Sequence, residues 1–441
     1  SNMRLYIEGS KNGVFVTREN EVHLASTIFN RNLYALQFLN SSDNASTFTG
    51  CKFESVNNLF SGPFNNLPSP NLTPIFTYIN TPPIAASQKI RGKAFSISNS
   101  FSNTGGFGLQ IGHASLNITA PLMSNFGCTS CPVNEFINLD NAVVAKDADV
   151  KIVNNKFENI DDPYSNITPG SGTLKIGTPI YISGSASPMR SSKLVVGESN
   201  NSVFNQNTLK NTFTNCKNGI YTGPFTDVDI SYNQFDKIYF NAIHNYFSTS
   251  NVSPVDFETK INNNRFLNCN RAIMSYNIFS RGGQLHEVKN NYCSFSALTI
   301  PLAPSTYKPY RHFLNVQNTD KTGVKIDVSD NIITNVHSAF SFMYVAGNSL
   351  NDARIENNTV TLAGYPAGTF VAEYGIRVMG SRNLSFIQNI ITGTTPNNAL
   401  QRGISSETGQ GDIEYKNNNL LHCGAGIRTF NSLAAIGLYC N

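Results

Sequence analysis

Lys260–Ile273 reads KINNNRFLNCNRAI, and the recurrence of this phrase decides the fold. Its template is an apolar residue, two residues, Asn, any residue, apolar, any residue, often Asn, apolar, two residues, Gly or Ala, then Ile. Earlier copies lie around Asn155 (KIVNNKFENI), at Asn211 (NTFTNCKNGI) and at Asn233 (DISYNQFDKI). Later copies lie at Asn291, Asn331 (DVSDNIITNVHSAF), Asn358, Asn389 and Asn418 (EYKNNNLLHCGAGI). Successive copies are spaced by 22 to 56 residues. A repeated unit with variable insertions is the mark of stacked coils.

The columns of the repeat say which kind of coil. Two residues after the Asn stand Phe157, Phe213, Phe235, Phe266, Ile333, Val360, Ile391 and Leu420. Five after it stand Ile160, Cys216, Ile238, Cys269, Val336 and Cys423, and three before it Ile152, Ile230, Ile261, Val288, Val328, Ile355 and Phe386. These are β-branched and aromatic residues in short alternating runs, broken by Asn and Gly, and no helical period competes. One such coil cannot bury its own apolar side. Stacking coils at ~4.8 Å buries a continuous core. The predicted class is all-β: a parallel β-helix of roughly ten to thirteen coils with long loop insertions. Asn suits the turns because it tolerates left-handed backbone angles, and its amide can bond to the same amide in the coils above and below.

This pattern resembles the right-handed parallel β-helix repeat of the pectate-lyase-like superfamily, most strongly from Val150 to Ile427. The resemblance implies right-handed coiling, which is also the general rule for parallel crossovers. It implies no single activity, because that fold carries lyases, hydrolases, epimerases, phage tailspikes and surface adhesins. It also implies export, so a secreted or cell-surface bacterial protein is the expectation. The opening Ser1-Asn2-Met3 reads as an expression remnant, so the missing leader carries no weight.

Within 441 residues a solenoid can run as one domain, with less regular coils and a Pro-rich loop in 1–94 and regular coils in 95–441. Prolines crowd Ser61–Ala86, and STFTGCKFESV (Ser46–Val56) fits the template with Cys51 in the Asn slot. Further loops are expected near Pro121–Pro132, after Asn159 and over Pro301–Tyr310. The last residues, Leu438 to Asn441, read as a strand with no visible cap, so either a cap is hidden there or the native chain continues. Only 14% of residues are charged and the net charge is +4. There is no basic run to read a phosphate backbone, so no nucleic-acid partner is expected. No apolar stretch reaches the length of a membrane span.

Eight cysteines are present. Cys216 and Cys269 share a column two coils apart, ~9.6 Å. That is beyond the ~7 Å a disulfide tolerates, so both are expected as free thiols. Cys128 and Cys131 form a Cys-x-x-Cys open to three readings: a local disulfide, half of a zinc site, or two thiols.

Known catalytic constellations fit poorly. Polygalacturonases of the resembling superfamily carry Asn-Thr-Asp, Asp-Asp, His-Gly and Arg-x-Lys in order. This chain has Asn318-Thr319-Asp320, has Asp161-Asp162 upstream of it, and lacks His-Gly and a later Arg-x-Lys. The resembling pectate lyases need acidic residues for calcium. Asp227 and Asp229 share a face by strand alternation, and Asp236 follows, so calcium is one reading and solvated strand-edge carboxylates the other.

One flank stands out. After the Gly or Ala of the template come inward Ile220, Ile243, Ile273, Phe340, Ile376, Ile404 and Ile427. Their neighbours and the positions two further on face outward by alternation. That set includes Tyr221, His244, Tyr246, Tyr276, Arg377, Glu407 and Arg428, the candidate ligand-binding residues. Tyr rings can stack on sugars, Arg can hold carboxylates bidentately, and His244 could move a proton near neutral pH. In the resembling enzymes this strand often lines the substrate groove. Two functions follow. The first is an exported protein that associates with polysaccharide, including a lyase or glycoside hydrolase whose known motifs are lost or altered. The second is a non-enzymatic surface or adhesion protein, with the β-helix as a scaffold for proteins or cell-surface glycans.

Overall fold

The computed structural model describes residues 5–8, 12–17, 23–30, 34–39, 47–54, 93–98, 124–126, 133–139, 141–146, 149–160, 177–186, 189–190, 192–197, 211–246, 258–276, 285–296, 310–317, 323–347, 349–364, 372–394, 400–408, 411–430 and 436–439. The Pro-rich segment Ser61–Ala86, the Cys128–Cys131 pair, Asp161-Asp162 and Asn318-Thr319-Asp320 lie outside these residues. The chain divides into two compact units, residues 1–197 with 210–221, and residues 198–209 with 222–441.

Both units are all-β, parallel β-helix-like stacks in which each coil contributes one strand to each of three sheets. In the second unit a representative coil runs Thr226–Ser231, Asn233–Asp236, Asn241–Tyr246, and the next runs Thr259–Asn262, Arg265–Leu267, Arg271–Tyr276. Below, the sheet that starts at the repeated Asn is the first sheet. The sheet that follows the template Gly or Ala is the second, and the sheet that precedes the Asn is the third. The pairing is parallel and in register: Phe235 meets Phe266, Phe266 meets Cys293, and Ile243 meets Ile273.

The repeated asparagines form the ladder the sequence suggested. In the second unit each Asn after Asn233 accepts, at Oδ1, the backbone N–H and the side-chain amide of the Asn one coil before. The series runs Asn233–Asn264–Asn291–Asn331–Asn358–Asn389–Asn418, with side-chain bonds of 2.9–3.2 Å. Each amide also donates to a carbonyl of the third sheet, as Asn264 does to Ile230 at 2.8 Å. In the first unit the ladder is Asn134–Asn155–Asn211, and the N–H of Cys51, in the predicted Asn slot, donates to Asn134 Oδ1.

The left-handed residue is not the ladder Asn but the one before it: Asn154, Tyr232, Asn263, Asn290, Asp330, Asn357, Gln388 and Asn417 have φ of 53–61°. The division of labour is physical. The positive-φ residue turns the chain outward, and the next residue buries an amide against its copies. Asn is common in the first role without being required there.

Inside, the predicted columns are buried except in the last coil, where Leu420, Cys423 and Ile427 are half-buried. Phe29, Phe53, Phe136, Phe157 and Phe213 stack face to face in the first unit at centroid separations of 4.6–5.0 Å. Phe235 and Phe266 do so in the second at 5.1 Å. Cys51, Cys216, Cys269, Cys293 and Cys423 are free thiols. Burial pushes the Cys293 thiol up to about 12 and Cys269 well above its ordinary value, so both behave as small apolar core groups.

Two substitutions test this interior. Phe266→Ala should cost about 3–5 kcal/mol by opening a cavity in the ring column. Asn264→Ala leaves Ile230 O and the Asn233 N–H without their partners and should cost about 2–6 kcal/mol at ~1–3 kcal/mol per orphaned buried group. Chemical denaturation of both variants is the measurement, and wild-type stability for either one would contradict the assigned contacts.

Candidate functional site

The outer face of the second sheet holds the candidate residues in rows fixed by strand register. One row runs His244, Met274, Asn315, Ser341, Arg377, Ser405, Arg428. The next runs Tyr246, Tyr276, Gln317, Met343, Met379, Glu407, Phe430. The strand His312–Gln317 supplies Asn315 and Gln317 to these rows. The repeat did not reveal it, because the insertion after Tyr292-Cys293 displaces it from the template.

Position on the outer face does not mean exposure. Tyr246 is 37% exposed and Tyr276 half-buried, but His244 and Tyr221 are each only 7% exposed. His244 lies 5.5 Å, centroid to centroid, from the Tyr276 ring, and Asn241 Nδ2 lies 3.4 Å from its Nδ1. Tyr221 belongs to the first unit, where it stacks on Tyr181 at 5.3 Å. Arg428 is exposed, with its guanidinium 5.9 Å from the Phe430 ring.

Arg377 and Glu407 face each other. Arg377 Nη2 donates to Glu407 Oε2 at 2.9 Å, Arg402 Nη1 lies 3.7 Å from Oε1, and Ser405 donates to Oε1 at 3.2 Å. Burial raises the Glu407 pKa, but the Arg377 bond and charge outweigh it and hold the carboxyl below its usual value. Both guanidiniums stack on Tyr374, at 5.1 and 5.2 Å from its centroid. Arg402 also donates to the Tyr374 hydroxyl at 3.1 Å. With its terminal amine committed to Glu407, Arg377 does not offer the free bidentate fork the sequence reading assumed.

A third outer row, at the entry edge of the same sheet, was missed. Register places Arg271, His312, Ser338, Tyr374 and Arg402 side by side. Arg271 lies between the exposed rings of Phe240 (5.5 Å) and Tyr310 (5.1 Å), and Tyr310 meets His312 edge-on at 5.9 Å. Burial first, then the positive charges of Arg271, His337 and Arg377, hold His312 down to about 4. It is therefore neutral at pH 7. Among the described residues, Nδ1 of His312, Oδ1 of Asn315 and Nε of Arg377 are covered and find no hydrogen-bond partner, leaving three polar atoms of one face with unused capacity.

Polar groups also lie beneath this face. His337 Nδ1 is 2.6 Å from Glu373 Oε1, and Glu373 Oε2 receives Gln401 Nε2 at 2.5 Å and the Gly364 N–H at 3.2 Å. A second internal chain links Thr222, Asn245, Ser275 and His286 at 2.8, 3.4 and 3.4 Å. The acidic residues considered for calcium are taken up locally: Asp227 Oδ1 accepts the Glu258 N–H, Asp229 the Ser231 hydroxyl, and Asp236 the Asn268 amide. Among the described residues, no group of three or more His, Cys, Asp or Glu is placed to hold a metal ion. No described helix is long and apolar enough to cross a membrane.

No family model, no curated protein and no solved structure matches this chain.

His286 gives a pH prediction. Burial lowers its pKa to about 4, and it is 2% exposed. The unfolded chain therefore binds the proton more readily, and stability is full above the unfolded value of ~6.5. It falls as pH drops from about 6.5 toward 4, by up to about 3 kcal/mol, and flattens below. His312, also held down to about 4, contributes in the same window, so His286→Gln should reduce that slope by about half in urea titrations from pH 7 to pH 4, and an unchanged slope would place the titration elsewhere.

Proposed function

We propose that this is an exported, right-handed parallel β-helix of the pectate-lyase-like kind, with roughly ten to thirteen coils, that associates with a polysaccharide or cell-surface glycan. Binding is assigned to the outer face of the second sheet. The observation that carries the reading is the composition of that face in the second unit. Tyr246, Tyr276, Tyr310 and Phe240 present rings beside His312, Asn315 and Arg377, whose covered polar atoms have unused hydrogen-bonding capacity. Rings stack on the apolar faces of sugars, and fixed polar atoms read their hydroxyls.

The reading is of association rather than turnover. Glycoside hydrolysis needs two carboxylates flanking the scissile bond, and Glu407, the carboxylate of the candidate set, is bound by arginine and serine. That observation also favours the second reading, a surface or adhesion protein that holds a glycan without cleaving it.

A panel of plant, algal and host glycans tests both. The expected outcome is retention of the protein on at least one polysaccharide without new reducing ends or unsaturated products. Tyr246→Ala combined with Tyr276→Ala should lower retention at least tenfold while the protein stays folded, the half-buried Tyr276 making the melting temperature fall by only a few degrees. Retention unchanged in the folded double variant would move the site off this face, and product release would make the protein an enzyme.

A further inference from the structure

The outer face of the first sheet in the second unit differs from every other face of that unit. The third sheet is lined by ion pairs: Lys260 with Glu258, Lys289 with Glu287 and Asp327, Arg354 with Glu356, and Lys416 with Glu414. The second sheet carries arginines and rings. The first sheet begins in the same manner, with Asp236 and Arg265, and then loses charge. From Tyr292 to Leu421 its outward positions hold no charged residue.

What replaces charge is a grid. Three successive strands, Ile332–Val336, Thr359–Leu362 and Ile390–Thr392, place Ile332, Thr359 and Ile390 in one row. Thr361 and Thr392 pair in the next row; on the preceding strand the register shifts between Ile333 and Val336, so Thr334 does not pair with Thr361. Ile332 and Ile390 are 51% and 41% exposed, and Thr359 and Thr361 are exposed. Strand pairing sets ~4.8 Å between neighbours across the strands, and alternation sets ~6.6 Å along them. Among the described residues the Thr359, Thr361 and Thr392 hydroxyls take part in no side-chain hydrogen bond, whereas Thr334 donates to Cys293 O at 3.3 Å.

The grid is also stiff. Ile332, Thr359, Ile390 and Asn419 each directly follow a ladder Asn, and each N–H donates to the carbonyl of the preceding ladder Asn at 2.8–2.9 Å. Thr and Ile are branched at Cβ and hold few rotamers on a strand. The face therefore presents methyl groups and unbonded hydroxyls at fixed spacing with little entropy left to lose.

We propose that this face adsorbs to ice. An ice surface is neutral, planar and periodic, and its only chemistry is oxygen atoms that donate and accept hydrogen bonds. A charged face would hold its own hydration against such a surface, whereas this one holds no charged residue from Tyr292 to Leu421. Threonine hydroxyls on a fixed grid can join an ordered water layer as donor and acceptor, and the adjacent methyl groups leave that layer few competing partners. A crystalline polysaccharide is the other flat, neutral solid. It is the poorer fit, because the one ring on this face, Tyr292, lies at its margin with the Arg265 guanidinium 5.7 Å from its centroid. A second copy of the chain fits poorly too. Five strands at ~4.8 Å and about four residues of width at ~3.3 Å give roughly 300 Å², well short of the ~800 Å² per partner of a stable pair.

The experiment is retention of the purified protein on a slowly growing ice surface, with inhibition of ice recrystallisation as a second readout. Wild type should be retained in the ice and slow recrystallisation. Thr361→Lys combined with Thr392→Lys, on exposed or half-exposed positions, should leave the melting temperature unchanged and reduce retention at least tenfold. Lys260→Ala on the third sheet should behave as wild type. Exclusion of wild type from ice would overturn the proposal, as would equal retention of the folded double-lysine variant. Binding of wild type to powdered cellulose or chitin, lost in the same variant without any ice retention, would also overturn it and assign the face to a polysaccharide. None of these outcomes depends on the glycan reading of the second sheet.

Discussion

A buried amide that bonds to its own copy one coil away is the interaction on which the rest depends. A primary amide has both a donor and an acceptor, so a column of asparagines is self-complementary at any length. Here each Asn in the second unit also ties the third sheet's carbonyl to the first sheet's opening N–H. The corner between those two sheets is thereby held to a constant shape, coil after coil. A serine would lack the reach and an aspartate would place like charges in contact, so neither could replace the column without leaving buried groups unpaired.

A corner fixed in this way leaves other corners free to vary. The chain inserts between the first and second sheets, as between Phe295 and Tyr310, and after the second sheet, as between Tyr246 and Glu258, while the Asn corner keeps its length from Ser231 to Asn233 and from Asn262 to Asn264. The interior is served by alternate residues only, so the outer residues of each strand are released from packing. Three faces on one backbone can then carry three chemistries: ion pairs on the third sheet, arginines and rings on the second, and methyl groups and hydroxyls on the first.

The columns were legible in the sequence because they are periodic and because burial tolerates only a few residue types at each slot. Phe157, Phe213, Phe235 and Phe266 announce themselves, and so does the Cys51 substitution in the Asn slot. The register of the second sheet followed from the same alignment, which is why His244, Arg377 and Glu407 fall in the predicted rows. Three things were not legible. His312–Gln317 breaks the spacing, because its coil carries an insertion between the first and second sheets. The burial of His244 depends on what neighbouring coils lay over it, and alternation says nothing about that. The Arg377–Glu407 pair and the Arg271 stack are cross-coil contacts between residues 30 or 39 positions apart in one chain, visible only once the coils are stacked.

The polar groups inside the stack answer a difficulty that the ladder creates. A column of Ile over Ile or Asn over Asn looks the same after a slip of one coil, so apolar packing and the ladder alone specify register weakly. Buried polar groups remove that degeneracy because each accepts few neighbours. Glu373, fully buried, has His337 on one side and Gln401 on the other, and displacing it by a coil would separate the carboxylate from these two partners. The Thr222–Asn245–Ser275–His286 chain does the same near the other end of the second unit, and links the second sheet to the third. Neither group adds much to stability beyond what an apolar filling would give, since desolvation offsets most of the bonding. Their effect is on which coil meets which, and so on which outer residues share a row. The face chemistry therefore depends on interior residues that never reach the surface.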